Sequence, residues 1–245
     1  MAAIVWLTGV ARQWTATGRP PHAHAAGKAL PREEGSMFLQ VFQGKVADED
    51  GLRRCMDRWS EELRPGADGY LGSTCGLSDD GTFLCMVRFE SEDAARRNSS
   101  RPEQGEWWAE CERCFEGPVT FMDCPDVTMW LDGGSDDAGF VQVLEGHTTD
   151  AHRMRELLTQ NGSRLHEVRP EIIGGTFGTY GEDGYIEAVY FRSEAEAREH
   201  EKMEVPDDLR ELMQEEERIM GKVTYYDLHN PMMISAGTSG MGESR

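Results

Sequence analysis

The chain of 245 residues carries 25 Lys and Arg against 45 Asp and Glu, a net charge of -20, and 38% of its residues are hydrophobic. A surface this acidic repels phosphate backbones and anionic lipid headgroups, and the sequence has no local basic patch to offset it. No apolar run approaches the roughly 20 residues that span a bilayer. The composition therefore excludes nucleic-acid-binding and membrane-spanning classes and predicts a globular protein of one or two domains.

The first 36 residues differ from the rest of the chain. An apolar stretch over 2–11 is followed by a tail rich in Ala, Gly, Pro and His that shows no period. A signal peptide is disfavoured because no Lys or Arg precedes the apolar stretch. We predict a disordered extension over 1–36, or a segment upstream of a true start at Met37.

An internal repeat follows, at an offset of 102 to 104 residues, and it defines two copies of one domain. Matched segments recur along the whole unit: 38–44 as 140–146, 72–74 as 174–176, 87–96 as 189–198, and 117–123 as 221–227. We predict a first copy over 37–133, a second copy over 134–230 and a flexible tail over 231–245.

Each copy reads strand, helix, strand, strand, helix, strand. The helix after the first strand has apolar residues at i, i+3, i+4, i+7 and i+11, starting from Leu52. Asp80-Gly81 and Asp183-Gly184 are typical hairpin turns. Ser91 and Ser193 are expected N-caps of the next helical region.

This order predicts an α+β fold of two ferredoxin-like βαββαβ repeats. The first strands are apolar on both faces, so the face that the helices do not cover needs a partner. The other copy's sheet can supply it. We therefore expect the repeats to pack sheet to sheet as an intramolecular dimeric α/β barrel, with Gln40 and Gln142 each facing the other half across the pseudo-twofold axis.

All six cysteines lie in the first copy. A secreted disulfide framework would staple both copies, so we predict six reduced thiols in a cytoplasmic protein. Cys111 and Cys114 form a CxxC without a second pair, and the stretch is predicted to be mid-helix, so we predict no metal site.

The stretches that close the third strand and open the second helix, residues 89–95 and 191–197, resemble the aromatic-Glu-Ser-Glu-x-Ala motif of antibiotic-biosynthesis-monooxygenase-like domains. The resemblance covers about 37–124 and 139–228. It implies the dimeric α/β barrel fold, with a small hydrophobic ligand between sheet and helices. Members of this superfamily include cofactor-independent monooxygenases that act on polycyclic aromatics, haem-degrading enzymes, isomerases and proteins without known catalysis.

The haem-degrading branch of that superfamily uses an Asn on the first strand with a Trp and a His on the second helical region. Neither copy keeps this set: Asn98 and His200 stand at the Trp position, and Trp107 and Leu209 near the His position. Haem degradation is therefore disfavoured.

Trp107, Cys111 and Cys114 follow one helix face at i, i+4 and i+7. Their equivalents in the second copy are polar: Glu211, Glu215 and Arg218. We interpret the strip either as a pocket wall or contact surface, or as side chains that pack under the 125–138 connection.

The candidate catalytic residues are Gln40, Asn98 and Trp107, with Trp107 stacking on a ligand and the amides orienting it. The candidate ligand-binding residues are Trp107, Cys111, Gln142, Tyr180, Tyr190 and His200. For the glutamines, the alternative is a structural hydrogen bond.

The leading hypothesis is the binding of a small hydrophobic or aromatic molecule, with cofactor-independent monooxygenase activity. The alternative is a non-catalytic ligand-binding or protein-interaction module. We expect a small-molecule ligand, no cofactor, and no nucleic-acid or membrane partner. The internal pseudo-dimer predicts a monomer and leaves further oligomerisation open.

Overall fold

The computed structural model describes residues 37–131 and 133–236, so the predicted extension and the last nine residues lie outside the described part of the chain. The elements of the first copy are strand β1 (Phe38–Lys45), helix α1 (Glu49–Arg58), strands β2 (Tyr70–Leu77) and β3 (Thr82–Phe89), helices α2 (Glu92–Ser99) and α3 (Pro102–Cys111), and strand β4 (Thr120–Cys124). A further strand, β5 (Asp126–Leu131), follows.

The second copy repeats this order. Its elements are strand β6 (Phe140–Thr148), helix α4 (Ala151–Val168), strands β7 (Ile172–Tyr180) and β8 (Gly184–Phe191), helices α5 (Glu194–His200) and α6 (Asp207–Ile219), and strand β9 (Met220–His229). A last strand, β10 (Met232–Ser235), ends the described chain. Within the described residues, no helix is long and apolar enough to cross a bilayer.

The second helical region of each copy begins at the predicted serine. The hydroxyl oxygen of Ser91 accepts a hydrogen bond from the Ala94 amide at 3.2 Å, and that of Ser193 accepts one from the Glu196 amide at 3.3 Å. Each bond satisfies a backbone donor that has no partner within the helix. Both predicted N-caps are confirmed.

The hairpin turns differ between the copies. Gly81 has a φ of +78°, as the Asp-Gly prediction requires. In the second copy, Gly184 is already paired with Tyr180 in the ladder, and the residue with positive φ is Gly181, at +63°. The turn in the second copy is therefore earlier than the sequence pattern predicts.

The two sheets each contain five antiparallel strands, in the orders β10-β2-β3-β1-β4 and β5-β7-β8-β6-β9. Four strands of each sheet come from one copy and the fifth comes from the strand that follows the other copy. Trp130 of β5 pairs with Gly175, and Ile234 of β10 pairs with Ser73 at the equivalent position. The reciprocal exchange covers one edge of each sheet and ties the two halves together.

The copies pack sheet to sheet, as predicted. Leu39 and Val41 of β1 meet Val141 and Val143 of β6 in a shared apolar core, and all four are fully buried. The hydroxyls of Thr74 and Tyr190 lie 3.0 Å apart across this interface. Stacking two like faces removes both from water, which explains why the first strands are apolar on each side.

The helices lie on the outer faces of the two sheets and enclose two further cores, here called the first layer and the second layer. The first layer lies between the first sheet and helices α1 to α3, and the second between the second sheet and helices α4 to α6. The molecule is thus a four-layer α+β structure with the predicted intramolecular barrel at its centre.

The predicted boundaries at 133/134 and 230/231 separate the copies along the chain but not in the sheets. β5 belongs to the first segment and lies in the second sheet, while β10 lies in the segment predicted to be a flexible tail. Met232 and Ile234 pack against the first layer, which is why this part of the tail is ordered.

Candidate functional site

The first layer contains a cavity of about 240 Å³ between the sheet and the helices. Its floor is formed by side chains from four strands: Gln40, Phe42, Ser73, Cys85, Val87, Phe89 and Phe121. Its roof is formed by the helical segments: Met56, Trp59, Asn98, Ser99, Gln104, Gly105, Trp107 and Trp108. We call this space the aromatic cavity.

Edge-to-face contacts hold the rings of its wall. Trp108 lies 5.3 Å from Phe42 and 5.1 Å from Phe121, both near-perpendicular. Phe121 is half exposed, which places the aromatic contact at the surface. This is the preferred geometry of aromatic pairs, so the wall is ordered without a ligand.

Two indole nitrogens of the roof already have acceptors. Trp107 Nε1 donates to the Cys55 carbonyl at 2.7 Å, and Trp59 Nε1 donates to Gln104 Oε1 at 3.0 Å. Because the N–H groups are satisfied by the protein, the rings offer the cavity apolar surface.

Two side-chain amides provide polar groups in the lining of the aromatic cavity. Gln40 Nε2 donates to Asp123 Oδ1 at 3.0 Å, and Asn98 Oδ1 accepts from Arg101 at 3.0 Å. The ends not used in these bonds are the carbonyl oxygen of Gln40, an acceptor, and the amide nitrogen of Asn98, a donor. One acceptor and one donor are thus available to a ligand.

No lining residue of the aromatic cavity, among those described, carries an acid or a base. Tyr70 lies beside the cavity; its hydroxyl lies 2.8 Å from Ser73 Oγ and donates to the Ile234 carbonyl at 2.6 Å. Burial raises the pKa of Tyr70 to about 12. The cavity is therefore suited to an uncharged molecule.

A disulfide joins Cys75 and Cys85, and Cys85 lies in the cavity floor. The prediction of six reduced thiols is therefore wrong for these two cysteines. The two residues are directly opposed on β2 and β3, with their Cα atoms 4.0 Å apart, a register that the sequence alone does not reveal.

The space in the second layer that corresponds to the aromatic cavity is filled by a side chain. Trp130 enters from β5, and its Nε1 donates to Glu187 Oε1 at 3.1 Å. A Cβ on Gly175 would lie 2.2 Å from the indole ring, so glycine is required beneath it. At the matching position of the first layer, Ile234 lies over Ser73 and the cavity stays open.

Glu187 is fully buried, and this burial raises its pKa to about 7, against a smaller lowering by the Trp130 hydrogen bond. Its second carboxylate oxygen and the Tyr185 hydroxyl have no hydrogen-bond partner among the described residues. Such a carboxyl favours its protonated form near neutral pH.

The structure brings together the three candidate catalytic residues. Gln40, Asn98 and Trp107 all line the aromatic cavity. The expectation that Gln40 and Gln142 face each other's half is wrong, because both lie on the helix side of their sheets. Gln142 Nε2 donates to Asp227 at 2.8 Å, the same bond that Gln40 makes with Asp123.

The strip of Trp107, Cys111 and Cys114 is buried, and Trp107 lines the aromatic cavity, as the pocket-wall interpretation predicts. The strip packs against α1, through the Trp107 bond to Cys55. In the second copy the same helix contact is polar, since Arg153 donates to both oxygens of Glu215 at 2.7 and 3.0 Å. Two of the three polar equivalents, Glu211 and Arg218, are exposed.

The remaining candidates lie away from the aromatic cavity. Tyr190 bonds Thr74 between the sheets, and Tyr180 donates to Glu145 at 3.2 Å. His200 Nδ1 lies 2.6 Å from the buried carboxylate of Glu171. These contacts give each residue a structural partner.

Twelve of the fifteen lining residues were not among the candidates, including Trp59, Gln104, Trp108 and Phe121. Trp59 lies on the apolar face of the first helix, and the residue that corresponds to Trp108 in the second copy is Leu212, so both patterns are also typical of core residues. Phe121 follows the strand alternation of β4, which would have placed it on the helix side with Phe42. No group of three metal-ligating side chains occurs within 37–131 and 133–236.

No protein-family model matches the sequence, and no curated protein matches it. Solved structures that share its architecture include the following three. A "putative monooxygenase" from Lactobacillus acidophilus superposes with a TM-score of 0.65 at 13% identity, covering 82% of this chain and 97% of its own. One from Fusobacterium nucleatum subsp. nucleatum gives 0.66 at 10% identity, with coverage of 83% and 96%.

The third is an "anthrone oxidase-like protein", with a TM-score of 0.62, 11% identity and coverage of 83% and 95%. Each likeness extends over both copies. The chain has the tandem antibiotic-biosynthesis-monooxygenase-like fold. At these identities the likeness establishes the monooxygenase-like fold alone.

Proposed function

We propose that the chain binds a flat, uncharged aromatic molecule in the aromatic cavity and oxidises it as a cofactor-independent monooxygenase. The observation that carries the proposal is a cavity of about 240 Å³ walled by aromatic rings and two amides, with no charged side chain in its lining. Ligand sites of this kind are mostly apolar, with a few polar groups that set orientation.

Binding would use the rings and the amides separately. Trp107 and Trp108 would stack on the ligand, while a ligand hydroxyl would donate to Gln40 and a ligand carbonyl would accept from Asn98. Hydrogen bonds to Asp123 and Arg101 already restrict the two amide side chains, so little conformational entropy is lost when a ligand binds.

In the reaction, the substrate itself supplies the electrons. A ring CH₂ next to a carbonyl loses a proton to solvent to give an enolate. The enolate carbon takes up O₂, and the resulting peroxide anion takes a proton from solvent to give a hydroperoxide. Loss of water then leaves a carbonyl, so that R₂CH₂ and O₂ give R₂CO and H₂O. Asn98 would donate to the enolate oxygen, and the apolar wall would exclude bulk water.

Oxygen uptake with an anthrone-like substrate tests the proposal. We expect consumption above buffer and formation of the matching quinone. Asn98→Ala should lower the rate about tenfold or more, because a donor to the developing oxyanion is lost. The matched pair Gln40→Leu and Gln142→Leu separates site from fold, since only the first residue lines the cavity.

A non-catalytic binding module is the second candidate. The lack of an acid or base in the described lining favours it, because an enolate must form without a side-chain base. Saturable binding without oxygen consumption would support this candidate and remove the oxygenase claim. Haem degradation stays disfavoured, because none of the lining residues is a histidine that could ligate iron.

A further inference from the structure

A second cavity, of about 350 Å³, lies on the outer side of the contact between α1 and the end of α3. Two thiols, three arginines and two carboxylates line it, together with Gly51: Cys55, Cys114, Arg54, Arg58, Arg113, Asp48 and Glu110. We call it the thiol–arginine cavity. It is separate from the aromatic cavity, since the two linings share no residue.

Both thiols line this cavity. Cys114 Sγ lies 3.9 Å from the Glu110 carbonyl oxygen, and the Cys114 carbonyl accepts hydrogen bonds from the Ala47 and Asp48 amides, just before the helix that carries Cys55. Cys55 is half-buried and Cys114 is buried. Cys55 is therefore the more accessible of the two thiols to a reagent that enters the cavity.

The charge around the thiols is unusual for so acidic a chain. Arg58 is paired with Glu110 at 2.5 Å, and Arg54 and Arg113 lie in the same lining. The second copy differs at all five matching positions: Glu156 for Arg54, Leu157 for Cys55, Gln160 for Arg58, Glu217 for Arg113 and Arg218 for Cys114. None of the three arginine positions and neither of the two cysteine positions keeps its residue in the second copy.

We propose that Cys55 and Cys114 form a peroxide-sensitive dithiol, which hydrogen peroxide converts to a disulfide within the thiol–arginine cavity. The Cys55 thiolate attacks one oxygen of the peroxide, the O–O bond breaks, and Cys55 sulfenic acid and hydroxide are released. The Cys114 thiol then attacks the sulfenic sulfur; a sulfur–sulfur bond forms and water leaves. The sulfurs lose two electrons and the peroxide gains two.

The surrounding groups suit each half of this step. Arg54, Arg58 and Arg113 line the cavity and offer positive charge to the departing hydroxide. Burial raises the pKa of the Cys114 thiol, so this residue stays protonated until the sulfenic acid forms in the same cavity. Cys111 is fully buried outside the cavity lining and takes no part.

Peptide mapping of the reduced and peroxide-treated full chain tests this inference. Trypsin separates the cysteines into peptides 55–58, 98–113 and 114–153, and chymotrypsin then separates Cys114 from Cys124 at Phe115 and Phe121. We expect a cross-link between the peptides of Cys55 and Cys114, reversed by a dithiol reductant. Cys75 and Cys85 are mapped in the same digest as an internal reference.

Three variants make the assignment specific. Cys111→Ser should still form the cross-link, whereas Cys114→Ser should instead accumulate a Cys55 sulfenic acid that dimedone traps. Arg113→Glu, which introduces the residue of the second copy, should slow the loss of thiols about fivefold or more. A cross-link from Cys55 to Cys111, or Cys55 unmodified under peroxide, would overturn the inference.

Discussion

The indole nitrogen of Trp130 donates to Glu187 Oε1 at 3.1 Å, inside the layer where the second copy would otherwise have its cavity. The tryptophan comes from the strand that follows the first copy, so one half of the chain fills the site of the other. Duplication has thereby left one open aromatic cavity among the described residues, in the first layer.

Removal of this indole should open the second layer. Trp130→Gly is expected to destabilise the fold by about 3–5 kcal/mol, through lost burial and an unpaired carboxyl. Added indole should restore part of the loss by filling the space, seen as a rise in Tm that grows with indole concentration. Benzothiophene, which has no N–H for Glu187, is the matched control and should restore less. Equal effects of the two would contradict the role of the hydrogen bond.

Glu187 should make stability depend on pH. Its folded pKa of about 7 is raised above the usual value for an exposed Glu, so the folded state holds the proton more tightly. The protonated Glu187 side chain therefore contributes about 3 kcal/mol to the unfolding free energy. This contribution is complete below the pKa of Glu187 in the unfolded chain and is lost as the pH rises through its pKa in the folded protein. Urea unfolding of wild type and Glu187→Gln between pH 4.5 and 8 measures it. As the pH rises, the unfolding free energy of wild type should fall relative to that of Glu187→Gln. A constant difference would contradict the raised pKa of Glu187.

The first copy should need the exchanged strand β10, although this strand follows the second copy in the sequence. Truncation after Asn230 removes the ladder along β2 and the packing of Met232 and Ile234, which we expect to cost about 3 kcal/mol. Truncation after Ala236 keeps the strand and is the control. The urea midpoint, followed by tryptophan fluorescence, should fall for the shorter chain only; two equal midpoints would show that the exchange is dispensable.

The buried pair of Arg169 and Glu171 should be sensitive to loss of one partner. Both side chains are almost fully inaccessible, and Glu171 also bonds His200 at 2.6 Å. Glu171→Gln should destabilise the second copy by about 3–5 kcal/mol, because it removes the negative charge that pairs with a buried guanidinium. His147→Gln, at the exposed pair with Asp183, is a control that should change the unfolding free energy by less than about 1 kcal/mol.

The sequence predicted the fold because the evidence for it is local and repeated. Matched segments, hairpin glycines and the two-faced β1 strand were enough to place both sheets and their contact. The same reasoning placed Asn98 and Trp107 on the second helical region, but it expected Gln40 to face the other half, whereas the structure places Gln40 on the helix side in the same cavity.

What it missed depends on register between distant segments. Nothing in residues 126–131 shows that β5 crosses to the other sheet, so Trp130 could not be recognised as the side chain that fills the second layer. Likewise the pairing of Cys75 with Cys85 follows from the exact alignment of β2 with β3.

Ligand titration of two glycine variants tests the central claim, that the chain binds one aromatic molecule in the first layer. Gly105 lines the aromatic cavity, and both Gly105 and the distant Gly117 have open space where a Cβ would be added. Wild type and Gly117→Phe should bind 1-naphthol with one site per chain in calorimetry, and Gly105→Phe should weaken binding at least about tenfold by occupying the cavity. Binding by Gly105→Phe with the affinity of wild type would contradict the account.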